Sequence, residues 1–98
     1  MNAGDETQVK KAGDRDERIR VRRLVDLKAV MSTVQGRRVI NDVIEFSGPL
    51  REAFNPNGSM TNFNLGRQSV GRMMFLQLDE ACPDLFLTMR QEAKREVA

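Results

Sequence analysis

A chain of 98 residues is long enough for one domain at most. Its apolar fraction of 40% includes five Phe and no Trp or Tyr, so the expected core is small and mostly aliphatic. The single cysteine and the absence of histidine exclude an internal disulfide and a Cys–His or Ser–His nucleophile pair, and they leave a zinc site without its usual ligands.

The net charge of +2 is unevenly distributed. Residues 1–40 carry ten basic and six acidic groups, a balance of +4, whereas residues 41–98 carry six basic and eight acidic groups, a balance of −2. No apolar run approaches the length of about 18 residues that spans a membrane, and the polar amino terminus lacks the apolar region of a signal peptide. We therefore expect a protein made in a reducing cytoplasm. The positive balance of residues 1–40 predicts that this part of the chain contacts a negatively charged surface.

The first 13 residues, MNAGDETQVKKAG, are polar, of mixed charge, and contain one branched apolar residue, Val9. Such a segment cannot bury enough apolar surface to offset the entropy of ordering it. We therefore expect residues 1–13 to be a flexible arm that becomes ordered on a partner, and residues 14–98 to form the helical domain.

A first helix is predicted over residues 14–34, where apolar residues recur at helical spacing. Five arginines occur within nine residues of its first turns, and two interpretations of them remain open. In one, Arg18, Arg22 and Arg23 contact phosphates or an acidic partner surface. In the other, the arginines form a solvated face that neighbouring acids neutralise through i,i+3 and i,i+4 pairs. No aromatic residue lies among them, which disfavours base stacking on single strands.

A second helix is predicted over residues 37–46. Gly36 is expected to end the first helix, and Gly48-Pro49 stops the second because proline cannot continue the backbone hydrogen bonds. The predicted apolar face of this second helix consists of Val39, Ile40, Val43, Ile44 and Phe46.

Residues 50–54 are expected to form one short helical turn with Leu50 and Phe54 facing inward. The strongest turn signal in the chain follows at residues 55–59, NPNGS, which predicts an exposed loop.

The longest helical pattern covers residues 61–81. Gly66 and Gly71 interrupt it, and each costs about 1 kcal/mol relative to alanine in a helix interior. We therefore predict that both glycines allow close packing of a helix from the same or the next subunit, or else that the helix begins after Gly66. Arg67 and Arg72 flank the apolar face and are candidate partner or phosphate contacts. The predicted apolar face comprises Phe63, Val70, Met73, Met74, Leu78 and Ala81.

A last helix is predicted over residues 83–97, since proline at a first helical position followed by an acid starts a helix well. Its apolar stripe contains Phe86, Met89, Ala93 and Val97 and is broadened by Leu85 and Leu87. Cys82, at the junction, is predicted to be a small buried apolar residue.

These elements predict an all-α fold, a small bundle of three to four helices with a flexible polar N-terminal arm. No catalytic residue, cofactor site or metal site is predicted. The spacing Gly66-x4-Gly71-Arg72 lacks the Lys-Ser/Thr of a P-loop. Asp79 and Glu80 are adjacent, so on a helix they point about 100° apart and do not form a catalytic pair.

A set of short motifs runs from residue 36 to residue 93. They are Gly36-Arg37-Arg38-Val39, Gly48, Phe63-Asn64-x-Gly66-Arg67-x-x-Val70-Gly71, Ala81-Cys82-Pro83-Asp84-Leu85-Phe86-Leu87-Thr88-Met89 and Glu92-Ala93. Together they resemble a family of small virion proteins encoded among the head and tail morphogenesis genes of short-tailed, podovirus-like bacteriophages. The second helix departs from the family pattern, because Ile40, Val43 and Ile44 stand where the family has aromatic residues.

The resemblance implies a non-enzymatic structural component of a tailed-phage virion, made in the bacterial host cytoplasm. It implies a place at the portal, between head and tail, or inside the head as an ejected protein. The expected partners are other virion proteins and further copies of the chain on a ring, with packaged DNA as a candidate contact. A marginal core fits this expectation, because neighbouring subunits can cover it.

A second hypothesis is a small helical nucleic-acid-binding regulator. The arginine cluster and the helix breaks at Gly36 and Gly58 loosely resemble helix-turn-helix proteins. Against it, Arg67 and Arg72 are the only basic residues on the best candidate recognition helix. An enzyme is the third hypothesis, and the lack of convergent polar groups disfavours it.

Overall fold

The computed structural model describes residues 3–97 and contains four α-helices, with no strand in that part of the chain. They are α1 (Ala3–Met31), α2 (Val34–Ser47), α3 (Gly58–Ala81) and α4 (Pro83–Val97). The prediction of an all-α fold of three to four helices is therefore confirmed, with four helices present, and the last helix has the predicted bounds.

The N-terminal arm differs from the prediction. Residues 1 and 2 lie outside the described residues, and residues 3–13 continue α1 without a break, so the boundary expected after residue 13 lies inside a helix. Residues 4–11 are exposed. Once the downstream turns exist, each added residue gains a backbone hydrogen bond without a new nucleus. Asp5 and Glu6 in the first turn also suit the positive end of the helix dipole.

The junction between α1 and α2 is displaced from the prediction. Gly36 does not end α1 but lies in the first turn of α2, where its N–H donates a 2.9 Å hydrogen bond to the Thr33 hydroxyl, the N-cap. A Cβ on Gly36 would overlap the carbonyl oxygen of Val30. The glycine is thus required because the last turn of α1 passes against the start of α2.

Residues 49–57 form an irregular connection rather than a helical turn. Gly48 caps α2 in the left-handed region, at φ 59°, a conformation that glycine adopts without steric cost. Leu50 and Phe54, expected to face inward, are 80% and 71% exposed, because no helix packs over this segment. Asn57 caps α3, which therefore begins three residues earlier than predicted.

The core is small and draws on every helix. Its buried apolar residues are Met31, Ile44, Leu78, Cys82 and Met89. Seven half-buried side chains pack against these: Leu27, Ile40, Met74, Phe75, Ala81, Leu85 and Phe86. The rings of Phe75 and Phe86 stack with centroids 5.5 Å apart. The burial of Cys82, 5% exposed, confirms its predicted place at the helix junction.

Several residues of the predicted apolar faces lie outside this core. On α3 the face is divided: Leu78 is buried, whereas Phe63, Val70 and Met73 are 44–56% exposed. The exposed apolar residues of the other predicted faces are Val39, Val43, Phe46, Leu87 and Val97. The prediction of one inward face on each helix is therefore wrong for these positions, since the small core covers only part of each predicted face.

The molecule is a thin, elongated slab. Its principal extents are 60 × 39 × 15 Å, and its radius of gyration is 18.0 Å, against about 13 Å for a compact domain of this length. Although the molecule is flat, all four helices contact one another around the shared core.

Candidate functional site

The five arginines singled out from the sequence lie in three different places. Arg18, Arg22 and Arg23 are on the second half of α1, Arg72 is exposed on α3, and Arg67 lies in a groove between α2 and α3. The structure therefore does not gather them into one basic surface.

A basic stripe, defined here as Lys11, Arg15, Arg18 and Arg22, follows one side of α1. The spacing of four, three and four residues places these side chains on one face of the helix. All four are exposed, and none forms an ion pair within the described residues. The buried and half-buried residues Leu27 and Met31 belong to the opposite side of α1, so the basic stripe points away from the bundle.

Arg20 behaves differently from the basic stripe. Its guanidinium pairs with Glu17 on the same helix at 2.9 Å and with Glu80 near the end of α3. The hydrogen bond from Arg20, reinforced by its charge, lowers the pKa of Glu17, and the two carboxylates together raise the pKa of Arg20. Part of the arginine cluster is thus neutralised, as the solvated-face interpretation expected, while the basic stripe is not.

Two arginines at the start of α2 have distinct surroundings. Arg37 Nε donates to Glu92 of α4 at 2.5 Å and its Nη1 donates to the carbonyl of Met31 at 2.9 Å, with the Arg37 side chain 12% exposed. Arg38 pairs with Glu96 at 3.4 Å, and both of those side chains are about 60% exposed. Arg37 therefore ties three helices together, a role that sequence reasoning missed because Glu92 is distant along the chain.

The Phe-Arg groove is an apolar depression of about 500 Å³ between α2 and α3. Volumes of this size are typical of binding pockets. Most of its surface is apolar, and the charged residue in its lining is Arg67. We define the groove by six residues: Val43, Phe46, Phe63, Gly66, Arg67 and Val70.

Arg67 is held between two aromatic rings in this groove. Its guanidinium carbon lies 5.6 Å from the ring centroid of Phe46 and 5.5 Å from that of Phe63, both within cation–π range. Its Nη2 donates to Asn64 Oδ1 at 3.2 Å, while its Nε is buried and has no hydrogen-bond partner within residues 3–97. Arg67 also forms no ion pair there, so the guanidinium charge is left without a carboxylate.

The two glycines of α3 have different environments. A Cβ on Gly71 would overlap the Ser47 hydroxyl and lie 2.9 Å from Pro49 Cγ, so α3 passes directly against the end of α2 at that position. A Cβ on Gly66 would meet no atom within 4 Å. The close packing predicted for Gly66 is therefore not made within this chain, because Gly66 faces the open Phe-Arg groove.

Polar contacts fix the irregular segment beside the groove. The Gln68 amide, in a residue only 4% exposed, donates to the carbonyl of Arg51 at 2.8 Å, and Asn64 donates to the carbonyl of Ala53 at 3.1 Å. Sequence reasoning did not find Gln68, because its partner, the carbonyl of Arg51, lies 17 positions away along the chain.

The described residues contain no group of three or more metal-ligating side chains, and no described helix is long and apolar enough to cross a membrane. A polar depression between α2 and α4 includes Arg90, which already donates to Asn41 and Glu45 at 3.1 Å. Burial raises the pKa of the Cys82 thiol, and the charge of Lys28 opposes that shift, so the thiol stays protonated near neutral pH.

Comparison with known proteins gives one family. A family model described as Bbp19-like phage protein matches residues 27–91, which is more than half of the chain. The matched span contains α2, α3, most of α4 and the whole Phe-Arg groove, and it excludes the basic stripe. Comparison with curated proteins and with solved structures gives no match.

Proposed function

The chain belongs to the Bbp19-like phage protein family, and from this premise we propose that it is a non-enzymatic structural component of a tailed-phage particle. In this proposal the chain is made in the bacterial host and incorporated in several copies, on a ring at the portal, between head and tail, or inside the head as an ejected protein. The motifs over residues 36–93 favour a short-tailed phage.

The observation that carries this proposal is the large surface of the chain. Its accessible surface is 7319 Å², against about 5,700 Å² for a compact monomer of this mass. Many large apolar side chains of the four helices remain exposed on this surface. The excess surface is what a protein needs when its neighbours in an assembly complete its packing.

The chemistry of that surface supports an assembly role. Large apolar side chains are exposed on α2, α3 and the connection between them, including Phe46 at 70%, Phe54 at 71% and Leu76 at 74%. Contiguous exposed apolar surface marks protein contacts more often than single exposed residues do. The fully buried apolar set, by contrast, holds only five residues of the described chain.

The proposal is tested by mass spectrometry of particles of the phage that encodes the chain. We expect the chain in gradient-purified particles, at a fixed ratio to the portal protein and in more than one copy per portal ring. Its absence from particles that contain all other structural proteins would refute the proposal. Cross-linking mass spectrometry on the same particles identifies the neighbouring proteins and so distinguishes the portal, head–tail and internal positions.

A second candidate function is nucleic-acid binding, and the basic stripe on α1 is the observation that favours it. Four exposed cations on the outward face of a helix can contact phosphates, and each contact makes binding more sensitive to salt. Titration of labelled duplex DNA at two salt concentrations tests it, with the substitution of Arg15, Arg18 and Arg22 by Gln as the variant and Arg72→Gln as the control. A steep salt dependence that the variant loses and the control keeps supports this function, and no binding at low salt refutes it.

A further inference from the structure

We propose that the Phe-Arg groove binds an amphipathic helix of another protein of the particle, and that a carboxylate on the apolar face of that helix pairs with Arg67. This inference deepens the proposed function by assigning one partner surface and the chemistry that it recognises.

The charge of Arg67 is the first argument. A guanidinium offers five N–H donors in a fixed planar fork that matches a carboxylate. In the described chain one hydrogen bond, to Asn64, and two aromatic rings contact it, while its Nε has no partner. A cationic N–H shielded from water is costly when unpaired, so a carboxylate that reaches it contributes more than it would on an open surface.

A partner carboxylate can reach Arg67 because the two aromatic rings beside it can move. Phe46 and Phe63 are 70% and 56% exposed, so each ring is free to change rotamer without disturbing the core. A rotamer change at either ring widens the approach of an incoming carboxylate to the Arg67 guanidinium, whose carbon lies 5.6 and 5.5 Å from the two ring centroids. The rings then pack against the apolar residues on either side of that carboxylate.

The shape of the groove selects a helix as the occupant. Phe63, Arg67 and Val70 recur on α3 at helical spacing, and Val43 and Phe46 form the facing wall on α2. A groove between two helices accepts a third helix through residues at i, i+3, i+4 and i+7. Gly66 leaves its floor open, since no atom outside its two chain neighbours and the nearby backbone of α3 lies within 4 Å of the missing Cβ, and this allows a close helix–helix approach.

The charge of Arg67 also disfavours a second copy whose own groove packs against this one, and it favours a different protein as the occupant. A twofold contact of this surface with itself would bring two Arg67 guanidiniums together across the axis. Like charges placed opposite each other in a desolvated contact disfavour association strongly. The carboxylate must therefore come from a surface other than the groove itself.

The test uses the full chain and a labelled synthetic peptide of about 16 residues, which is long enough for four helical turns. The probe has leucines along one face, a single glutamate among them, and glutamine and serine on the other face. A matched peptide has glutamine in place of that glutamate. Binding is measured by fluorescence anisotropy, and circular dichroism verifies that each protein variant is folded.

We expect the glutamate peptide to bind the full chain at least about tenfold more tightly than the glutamine peptide. Arg67→Gln should weaken the glutamate peptide to the level of the glutamine peptide and leave the latter unchanged, which is the signature of a direct pair in a double-mutant cycle. Arg72→Gln removes the same charge from an exposed position on the same helix and should leave both affinities unchanged. Phe63→Ala should weaken both peptides alike, because it removes apolar contact and not charge.

Four results would overturn the proposal. They are equal affinity for the two peptides, an equal effect of Arg67→Gln and Arg72→Gln, no binding of either peptide, and displacement of the bound peptide by a single-stranded oligonucleotide. Sedimentation of the chain alone provides a further criterion. If self-association is lost in Arg67→Gln but kept in Arg72→Gln, the groove binds a second copy of the chain instead. Detection of the chain in particles is independent of these results, so failure of the groove and failure of the proposed function are separate outcomes.

Discussion

At the scale of single residues, the two glycines of α3 show that the neighbouring atoms decide whether a glycine is required at a position. Gly66 and Gly71 lie five residues apart on α3 and are equivalent as helix-weakening residues. One is packed against the end of α2, and the other faces open space. The local sequence predicts the same cost for both, whereas the packing makes one required and the other dispensable for stability.

We therefore expect Gly71→Ala and Gly66→Ala to have effects of opposite sign. Gly71→Ala places a methyl group against Ser47 and Pro49 and should destabilise the fold by about 1–3 kcal/mol. Gly66→Ala meets nothing and should stabilise it by up to about 1 kcal/mol through helix propensity. Urea unfolding followed by circular dichroism measures both, and equal destabilisation by the two variants would contradict the assigned packing.

At the scale of whole helices, two ion pairs between α2 and α4 differ in how much they stabilise the packing of these helices. The pair of Arg37 with Glu92 is mostly shielded, with side-chain exposures of 12% and 27%, and it joins the start of α2 to α4. The pair of Arg38 with Glu96 joins the same two helices at the surface, with exposures of 60% and 63%. Solvent screening makes exposed pairs weak, while removal of one partner of a shielded pair leaves a charge unsatisfied.

Glu92→Gln should accordingly destabilise the fold by about 1–3 kcal/mol, because it leaves the Arg37 guanidinium partly desolvated without its carboxylate. Glu96→Gln is the matched control and should change stability by less than about 0.5 kcal/mol. Urea midpoints of the two variants, compared with that of the parent chain, test the difference. Equal effects would show that the Arg37 pair contributes no more than a surface pair.

The N-terminal half of α1 is the element most separate from the core. Residues 4–11 are exposed, and the first fully buried side chain of α1 is that of Met31. Packing of an apolar face, rather than helix propensity, supplies most of the stability of helices in proteins. The segment is thus helical but contributes little to holding the bundle together.

Deletion of residues 2–13 should lower the helical signal at 222 nm while changing the melting temperature by less than about 3 °C, since exposed changes alter stability by about 0.5 kcal/mol or less. Leu27→Ala, in a residue packed against the core, serves as the contrast and should lower the melting temperature clearly. A large loss of stability on deletion would mean that the segment packs on the bundle or on a second copy.

At the scale of the whole molecule, the thin shape determines how the stability of the isolated chain depends on its concentration. A chain with a small core and an excess of accessible surface gains stability from association by mass action. The melting temperature of an assembling protein therefore depends on its concentration, whereas that of a monomer does not.

We expect the melting temperature to rise by several degrees between about 2 and about 200 µM protein, because a hundredfold increase favours association by about 2.7 kcal/mol. Sedimentation velocity over the same range should show the corresponding increase in mass. A monomeric helical protein measured in the same buffers controls for solvent effects. A constant melting temperature and a constant monomer mass would count against self-association on a ring.

The sequence by itself determined the helical class, the bounds of α4 and the absence of an internal disulfide, since each depends on local chemistry or composition. The helix 37–46 was found, but the Gly36 end and the Thr61 start were misplaced. Capping by Thr33 and Asn57 is a local signal that was not used, whereas the close approach of Val30 to Gly36 is set by the packing of α1 against α2. The sequence also singled out Arg67 and Gly66 without relating them to Phe46.

Only the tertiary structure decided which apolar residues are interior. Helical periodicity reports that Phe63, Val70 and Leu78 share a helix, yet Leu78 is buried and the other two line an open groove. Burial depends on how many layers of helices are stacked, and a pattern along one helix carries no information about that number. In this chain the four helices pack around one small core, so one apolar side of α2 and α3 meets that core while the other is left for a partner.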